Sequence, residues 1–378
     1  MEIWVYAIAK NEAKFCRRWL ESMSEADGIA VLDTGSTDGT REEIAAWAKE
    51  KGWELASAAP VQKGKKTLVM AEKSICPWRF DRARNESLKL VPEWAEILVC
   101  MDLDEIIIPG WRDEIEKSWE QGCTTGRYKY VWSFNGDGSD GISYGAEKIH
   151  TAGARWKYPV HEILEYPEEE RSCWLNIRVE HHPDDRKSRG QYLELLELSV
   201  KENPTSDRNM HYLGREYLFR GRWDEAAETL VKHLRLPTAK WKPERAASMM
   251  YIAQCCKARQ MPDKAELWLL RAAMECPESR EPWYELGAMM YEGGRWAECA
   301  RYLSKCLDIK KPDLSYLVRP EAWGGRPWDI ISIAWWHLGE YEYSINCAAQ
   351  ALTYSKDERI EENLKLYKKE QAKAIRGE

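Results

Sequence analysis

Two short segments carry residue types that could do phosphate or metal chemistry: DTGSTDGT, from Asp33 to Thr40, and MDLDE, from Met101 to Glu105. Each follows an apolar run. In the second, Asp102 and Asp104 stand two residues apart, and carboxylates at i and i+2 can reach one ligand where a strand ends and the chain turns. A hard divalent cation takes oxygen ligands and bridges carboxylates to phosphates. A D-x-D triplet is common by chance; its place directly after an apolar strand, downstream of a turn dense in Gly, Ser, Thr and Asp, is what gives it weight.

Those residues need elements to hold them. Ile3 to Ile8, Ile29 to Leu32 and Ile97 to Met101 read as short buried strands, and polar helix starts follow, at Lys10 to Glu12 and before the helical run from Arg41 to Lys51. Ser36, Thr37 and Asp38 are candidate caps for that helix. Strand alternating with helix implies an α/β domain with a mostly parallel sheet, whose ligands bind at the carboxyl ends of the strands. The acidic and turn-rich segments fall at those ends.

From about Gln191 the period becomes helical throughout. GRWDEAAETLVKHL from Gly221, GRWAECARYLSKCL from Gly294 and GEYEYSINCAAQAL from Gly339 align, each with an aromatic two residues after the Gly and a Leu thirteen positions on. Leu213-Gly214, Leu286-Gly287 and Ile333-Ala334 are read as equivalent small-residue sites in the preceding helices, and a weaker copy runs from Tyr251 through Ala265. The register of about 34 to 47 residues resembles tetratricopeptide repeats, which stack into a superhelix that binds peptides or other chains. The expected division is 1–188 for the α/β domain and 189–378 for the all-α repeat domain.

Composition bounds the function. The chain has 378 residues, 44% hydrophobic and 31% charged, with a net charge of −7; this suits two globular domains and argues against a broad nucleic-acid surface. Eleven scattered Cys without a CxxC pair read as buried thiols of a cytoplasmic protein, not a disulfide framework or a zinc site. No signal peptide and no membrane span is expected. Twenty Trp and eighteen Tyr against four Phe suit either a sugar-binding surface or a ring-rich repeat core.

IAKNE, VLDTGSTDGT, WRFDRARNESL and CMDLDE, in that order, resemble a family 2 glycosyltransferase of the Rossmann-like GT-A fold. YKYVWSFNGDG, EKIH, PVHEIL and VEHHPD, with the repeats behind them, resemble a subgroup carrying C-terminal tetratricopeptide-like repeats, related to the peptide S-glycosyltransferases. The resemblance implies an inverting hexosyltransferase that moves a sugar from a UDP-sugar, with Mn²⁺ or Mg²⁺, to a protein, peptide or glycan acceptor. It assigns the loop Ala9, Lys10, Asn11 and Glu12 to the border of the nucleotide and Asp33 to its base or ribose. Arg82 or Arg84, with Arg84 the better match, approaches the base or diphosphate. Asp102 contacts ribose or metal, with Leu103 beside it in the donor site, and Asp104 binds the metal. His181 or His182 supplies a further ligand, His181 being preferred although its alternation with Ile177 and Val179 suits a core histidine too. Glu162, with His161 beside it, stands where the family has its general base. The family usually has an Asp there in a Glu-Asp pair, so the His-Glu pair is a departure; pairing of a carboxylate with Lys148 or Arg155 is the structural alternative. Asp137 and Asp140 are weaker candidates in a Gly-rich turn.

A second reading keeps the same motifs without turnover: an idle nucleotide-sugar-binding platform whose repeats mediate protein interaction. Nucleotidyl transfer, a third, lacks a Gly-rich basic fingerprint near the N-terminus. The sugar, the acceptor and the oligomeric state stay open, and the repeats are expected to select the acceptor.

Overall fold

Alternation within fully buried strands decides the first half of the chain. Along β1 (Ile3–Ala9), Ile3, Val5, Ala7 and Ala9 enter one core while Trp4 and Tyr6 enter another. A strand apolar on both sides has to be covered on both sides. Helices α1 (Ala13–Met23), α2 (Thr40–Lys51) and α4 (Trp111–Ser118) bring Trp19, Ile44, Trp47 and Trp111 to the first core. Helix α3 (Phe80–Leu88) packs near β1 on the other face, where Val91, Ala95 and Trp156 complete the second core.

The computed structural model describes residues 1–184, 190–312 and 315–376. Its contacts divide the chain into Met1–Ser199 and Val200–Glu378. The boundary expected at 188/189 lies outside the described residues, and the contact division falls within α5 (Tyr192–Glu202).

In the first unit the remaining strands are β2 (Gly28–Asp33), β3 (Glu54–Ala56), β4 (Thr67–Glu72), β5 (Ile97–Cys100), β6 (Glu105–Ile107), β7 (Thr125–Val131), β8 (Ser143–Thr151) and β11 (Ser172–His181). With β1 they form one sheet of order β3-β4-β2-β1-β5-β8-β7-β11-β6, beside a separate pair of β9 (Arg155–Lys157) and β10 (Ile163–Glu165). The stretch from β3 to β5 is parallel, whereas β8 runs antiparallel to β5 and β7, and β6 antiparallel to β11. The expectation of a mostly parallel sheet therefore describes one side only, and the sheet is mixed. Parallel register aligns Ala9 with Asp33 and Asp33 with Glu72, so the ends of β1, β2, β4 and β5 share one edge.

The turn after β2 departs from expectation in part. Helix α2 starts behind a left-handed Gly39, and Asp38, one of the expected caps, accepts at Oδ1 from Thr40 N–H, the first of the helix, at 3.1 Å. All three candidates also reach across to the loop after β1: Ser36 Oγ accepts from Asn11 N–H at 2.8 Å, Thr37 N–H donates to Asn11 Oδ1 at 2.8 Å, and Asp38 Oδ2 accepts from Ala13 N–H at 3.1 Å. The two loops at the sheet edge are laced into one piece.

The second unit is built from antiparallel helix pairs: α6 (Asp207–Phe219) with α7 (Trp223–Arg235), α8 (Lys242–Ala258) with α9 (Pro262–Glu275), α10 (Arg280–Glu292) with α11 (Trp296–Asp308), and α13 (Arg326–His337) with α14 (Tyr341–Leu352). The short α12 (Pro320–Trp323) precedes α13, and α15 (Glu358–Arg376) packs on α14. Gly221, Gly294 and Gly339 all take left-handed φ between the helices of a pair, which Gly does without steric cost. In the weak copy Gln260 occupies that position at φ 56°, which is why the sequence shows it faintly. Gly214 and Gly287 face Leu230 and Leu303 so closely that a Cβ would stand 2.6 and 2.4 Å from a leucine Cγ. Counted back from the left-handed Gly339, the matching residue in α13 is Ser332, not Ala334; the earlier alignment there is corrected by two residues. Ser332 spends its carbonyl on Ser344 Oγ at 2.7 Å.

Four of the tryptophans, Trp4, Trp19, Trp47 and Trp111, are fully buried in the cores of the first unit. All eleven cysteines are free, and Cys76 is exposed while the others are buried. Among the described residues no helix is long and apolar enough to cross a membrane.

Candidate active site

At the end of β2, Asp33 is wholly buried. Its Oδ1 accepts from Gly35 N–H at 2.9 Å and Ser36 N–H at 2.8 Å, so the carboxylate organises its own turn. Its Oδ2 makes no hydrogen bond among the described residues. A buried charged oxygen without a donor is costly, and it is the sort of atom a ligand's N–H or O–H satisfies.

Beyond β5 the chain builds a charge cluster. Arg84, on the buried side of α3, donates from Nε to Glu162 Oε1 at 2.5 Å, and its Nη2 lies 2.9 Å from Asp102 Oδ1. Its Nη1 lies 3.1 Å from Cys100 Sγ. Lys148 of β8 bridges Asp102 Oδ2 at 2.9 Å and Glu105 Oε1 at 2.6 Å. Tyr130 donates to the same Glu105 oxygen at 2.8 Å, and Asp102 N–H donates to Glu105 Oε2 at 2.8 Å. Burial works against the charged form of Asp102, but Arg84 and Lys148 outweigh it and hold the carboxyl well below the usual carboxylate range. Burial raises Glu105, with Lys148 opposing. Arg84 and Lys148 lose hydration too, yet the surrounding carboxylates keep both firmly protonated.

The two aspartates of the D-x-D therefore differ. Asp102 faces two cations. Asp104 faces His181, whose Nε2 lies 3.6 Å from its Oδ2. The imidazole is stacked on Trp132 at 4.3 Å, and its Nδ1 lies 3.3 Å from the Trp132 carbonyl. Next to it, the His182 backbone N–H donates to the Asp104 carbonyl at 2.7 Å, so β11 and the turn after β5 are tied together at the pair. The His182 ring turns away, stacked on Phe134 with Nε2 3.2 Å from Glu180. The donor set can be tested by its spacing. With metal–ligand bonds of about 2.1 Å, two neighbouring ligands stand about 3 to 3.5 Å apart, close to the Asp104–His181 separation. These two fit one divalent cation, with other positions left for phosphate oxygens or water. Among the described residues no group of three His, Cys, Asp or Glu converges on a metal position, and Asp102 is committed to Arg84 and Lys148.

The other expected residues divide into supports and bystanders. The Ala9 carbonyl accepts from Thr34 N–H at 2.8 Å, Asn11 is engaged by Ser36 and Thr37, and Glu12 N–H donates to Thr40 Oγ1 at 2.8 Å. These atoms hold the edge loops. Leu103 points into the apolar core. Arg82 lies on the exposed side of α3, where its Nη1 reaches the Cys76 carbonyl at 3.4 Å; it is not in the cluster that Arg84 joins. Glu162 pairs with Arg84, where Lys148 or Arg155 was the expected structural partner. His161 has a left-handed backbone at φ 51° and sets its ring 5.9 Å from Tyr192. Asp140 is clasped by both Nη groups of Arg178, at 2.7 and 2.8 Å, and by Lys129 at 2.6 Å, and Asp137 caps its own turn through Ser139. Sequence reasoning passed over Lys148 and Tyr130 as site residues; the signal for Lys148 was its place in the EKIH segment.

The chain matches no family model, and no curated protein matches it. Among solved structures, the crystal structure of MamA is similar over 43% of this chain and 85% of its own, at 18% identity and a TM-score of 0.35. PilF of Pseudomonas aeruginosa is similar over 45% and 70%, at 12% identity and 0.36. YrrB, described as a TPR protein with an unusual peptide-binding site, is similar over 47% and 83%, at 12% identity and 0.35. At such scores the likeness adds nothing to the helix pairs already described.

Proposed function

We propose that the first unit is an inverting, metal-dependent hexosyltransferase of the family 2, GT-A type that takes its sugar from a UDP-sugar. The observation that carries this reading is the edge shared by β1, β2 and β5, where the unpartnered Asp33 Oδ2, the Arg84–Asp102–Lys148 cluster and the Asp104–His181 pair all stand. In this reading Asp33 accepts from the uracil or ribose, Arg84 meets the diphosphate, and Asp102 orients the donor through its contact with Arg84. Asp104 and His181 hold Mn²⁺ or Mg²⁺, which supplies Lewis-acid stabilisation to the leaving diphosphate. Glu162 is the candidate base, held near the cluster by Arg84, with His161 the alternative. The acceptor is a protein, a peptide or a glycan, and the repeats take part in choosing it.

The idle-platform reading has one observation in its favour: Glu162 is engaged by a guanidinium, and a base has to be free to take a proton. Thermal-shift and UDP-release measurements with UDP-, GDP- and dTDP-sugars, each with Mn²⁺, Mg²⁺ or EDTA, separate the two. The transferase reading expects a metal-dependent rise in melting temperature with one UDP-sugar, slow UDP release, and loss of the metal-dependent part in Asp104→Ala and in His181→Ala. Binding without release across a broad acceptor panel supports the platform. Transfer left intact by Asp104→Ala rules out the mechanism proposed here.

A further inference from the structure

Arg84 has no idle nitrogen. Its Nη1 meets the Cys100 thiol at 3.1 Å, its Nη2 meets Asp102, and its Nε donates to Glu162 Oε1 at 2.5 Å. The Trp156 ring closes another side, its centroid 5.1 Å from the guanidinium carbon. Two cations, Arg84 and Lys148, thus already serve three carboxyl groups, those of Asp102, Glu105 and Glu162. A diphosphate brought to Arg84 adds further negative charge to a buried cluster, so one resident has to leave. Guanidinium N–H groups fit carboxylate and phosphate oxygens alike, and the exchange is one anion for another.

Glu162 is the resident best placed to leave. Cys100 belongs to β5, inside the sheet, and Asp102 is held again by Lys148 and by its own N–H on Glu105. Among the described residues the Glu162 carboxylate has Arg84 alone as its partner. It stands outside the large sheet, where the turn from β9 enters β10. The start of that hairpin is pinned to α3: Asn85 Nδ2 donates to the Trp156 carbonyl at 2.8 Å, Trp156 N–H donates to Asn85 Oδ1 at 2.9 Å, and Phe80 N–H donates to the Pro159 carbonyl at 2.9 Å. On either side of Pro159 the backbone is left-handed, at Tyr158 (φ 81°) and at His161 (φ 51°). Side chains of this size hold that conformation only where their surroundings impose it, and the Arg84–Glu162 pair is one such tie. When it breaks, His161 and Glu162 can relax while Asn85 and Phe80 keep the hairpin on α3.

We propose that Glu162 is a resident anion that closes the diphosphate position on Arg84 and is displaced by the diphosphate of the arriving nucleotide, so that one exchange admits the ligand and frees the carboxylate. The inference rests on the transferase reading for the identity of the ligand, and it adds a regulation of that site. In the empty site Glu162 is tied to a guanidinium and takes no proton; with the nucleotide bound it is released to do so, and the engagement of Glu162 by Arg84 no longer speaks for an idle platform. The lock also selects by charge. A ligand has to outcompete a carboxylate for Arg84, which a diphosphate does better than a monophosphate and a bare nucleoside not at all.

The test is calorimetry on the full chain and on Glu162→Gln, with UDP, UMP and uridine at one fixed Mn²⁺ concentration. Glutamine keeps an oxygen to accept from Arg84 Nε but carries no charge, so it is the easier occupant to displace. UDP should bind the variant about ten-fold more tightly than the unaltered chain, the difference between a charged and a neutral hydrogen-bond partner. UMP should gain less and uridine nothing. Equal or weaker UDP binding by the variant, or a gain of the same size for uridine, overturns the proposal and leaves the transferase reading standing; UDP bound by neither chain overturns both. A second measurement needs no substitution. On the unaltered chain, hydrogen exchange at residues 160–163 should quicken when UDP binds, against the usual protection by a ligand, and exchange there that is unchanged or slower also overturns the proposal.

Discussion

Asp33 shows how much one side chain can be asked to do. Its Oδ1 is spent on the Gly35 and Ser36 N–H groups while its Oδ2 is buried and unpaired, so one oxygen maintains the turn and the other awaits a donor. Asp33→Asn separates these roles, since the amide oxygen can still accept from the turn while the NH₂ cannot accept from a ligand. A hydrogen bond to a charged group is worth about 1.5–3 kcal/mol, so UDP affinity by calorimetry should fall about 10- to 100-fold with the melting temperature of the free protein little changed. Unchanged affinity would mean the ligand does not reach Asp33. The strand-end acids were legible in the sequence because their spacing and their place after apolar runs are local features. Lys148 and Tyr130 were not, because β8 and β7 reach β5 only through long-range antiparallel pairing, and no local period reveals which strand will lie beside Asp102. The same blindness kept Arg82 a candidate beside the better-matching Arg84, although the helix puts Arg82 in solvent and Arg84 in the cluster.

At the scale of elements, the repeats depend on how closely two helices of a pair approach. Gly287 sits where an added Cβ would stand 2.4 Å from Leu303 Cγ and 2.5 Å from its Cδ2. Alanine is the better helix former by about 1 kcal/mol, but overpacking of this kind costs about 1–3 kcal/mol, and the branched carbon of a buried leucine cannot simply swing aside. Gly287→Ala should therefore lower the urea midpoint of unfolding. Gly293→Ala, at a helix end where the nearest atom is 3.6 Å away and φ is an ordinary −87°, should leave it unchanged or raised. Equal effects at the two sites would show that the close approach is not what holds the pair. The helix pairs were readable because Gly, aromatic and Leu recur at fixed offsets. The alignment of the α13–α14 pair slipped by two residues since Ser332 takes the small-residue place that glycine marks in α6 and α10, and the stretch between α11 and α13 breaks the period altogether. In the first unit β1, β2 and β5 showed as apolar runs and the end of β11 as an alternation, whereas β3 and β4, and β7 and β8 with their polar and charged interruptions, were not read as strands.

For the whole molecule, acid should be more damaging than carboxylate titration alone predicts. Each unit buries a neutral histidine. His150 accepts from Tyr6 OH at 2.7 Å, Tyr6 OH in turn accepts from Trp156 Nε1 at 2.8 Å, and the other ring nitrogen meets the Thr151 carbonyl at 2.8 Å; both nitrogens are satisfied without a second proton. His211 shares Ser248 Oγ with His233. Burial pulls His150 down from 6.5 to about 4 and His211 from 6.5 to about 3. Between those values and 6.5 the unfolded chain takes up protons that the folded chain refuses, so stability is complete above the unfolded value and falls as pH drops through it. By about pH 5 each histidine should have cost about 2 kcal/mol. Glu244 works in the same direction at lower pH: burial opposes its charge, but the hydrogen bonds from His233 and Tyr316 help hold it at about 2 against an ordinary 4.5, so its stabilisation disappears as pH falls from 4.5 towards 2. Urea unfolding at about pH 7.5 and about pH 5, followed by hydrogen exchange in β1 for the first unit and in α8 for the second, should show both units weakened before most carboxylates titrate. His211→Gln should flatten the pH dependence in α8 while leaving that of β1 as it was. An unaltered slope in α8 would place the acid sensitivity of the second unit elsewhere than in its buried histidine.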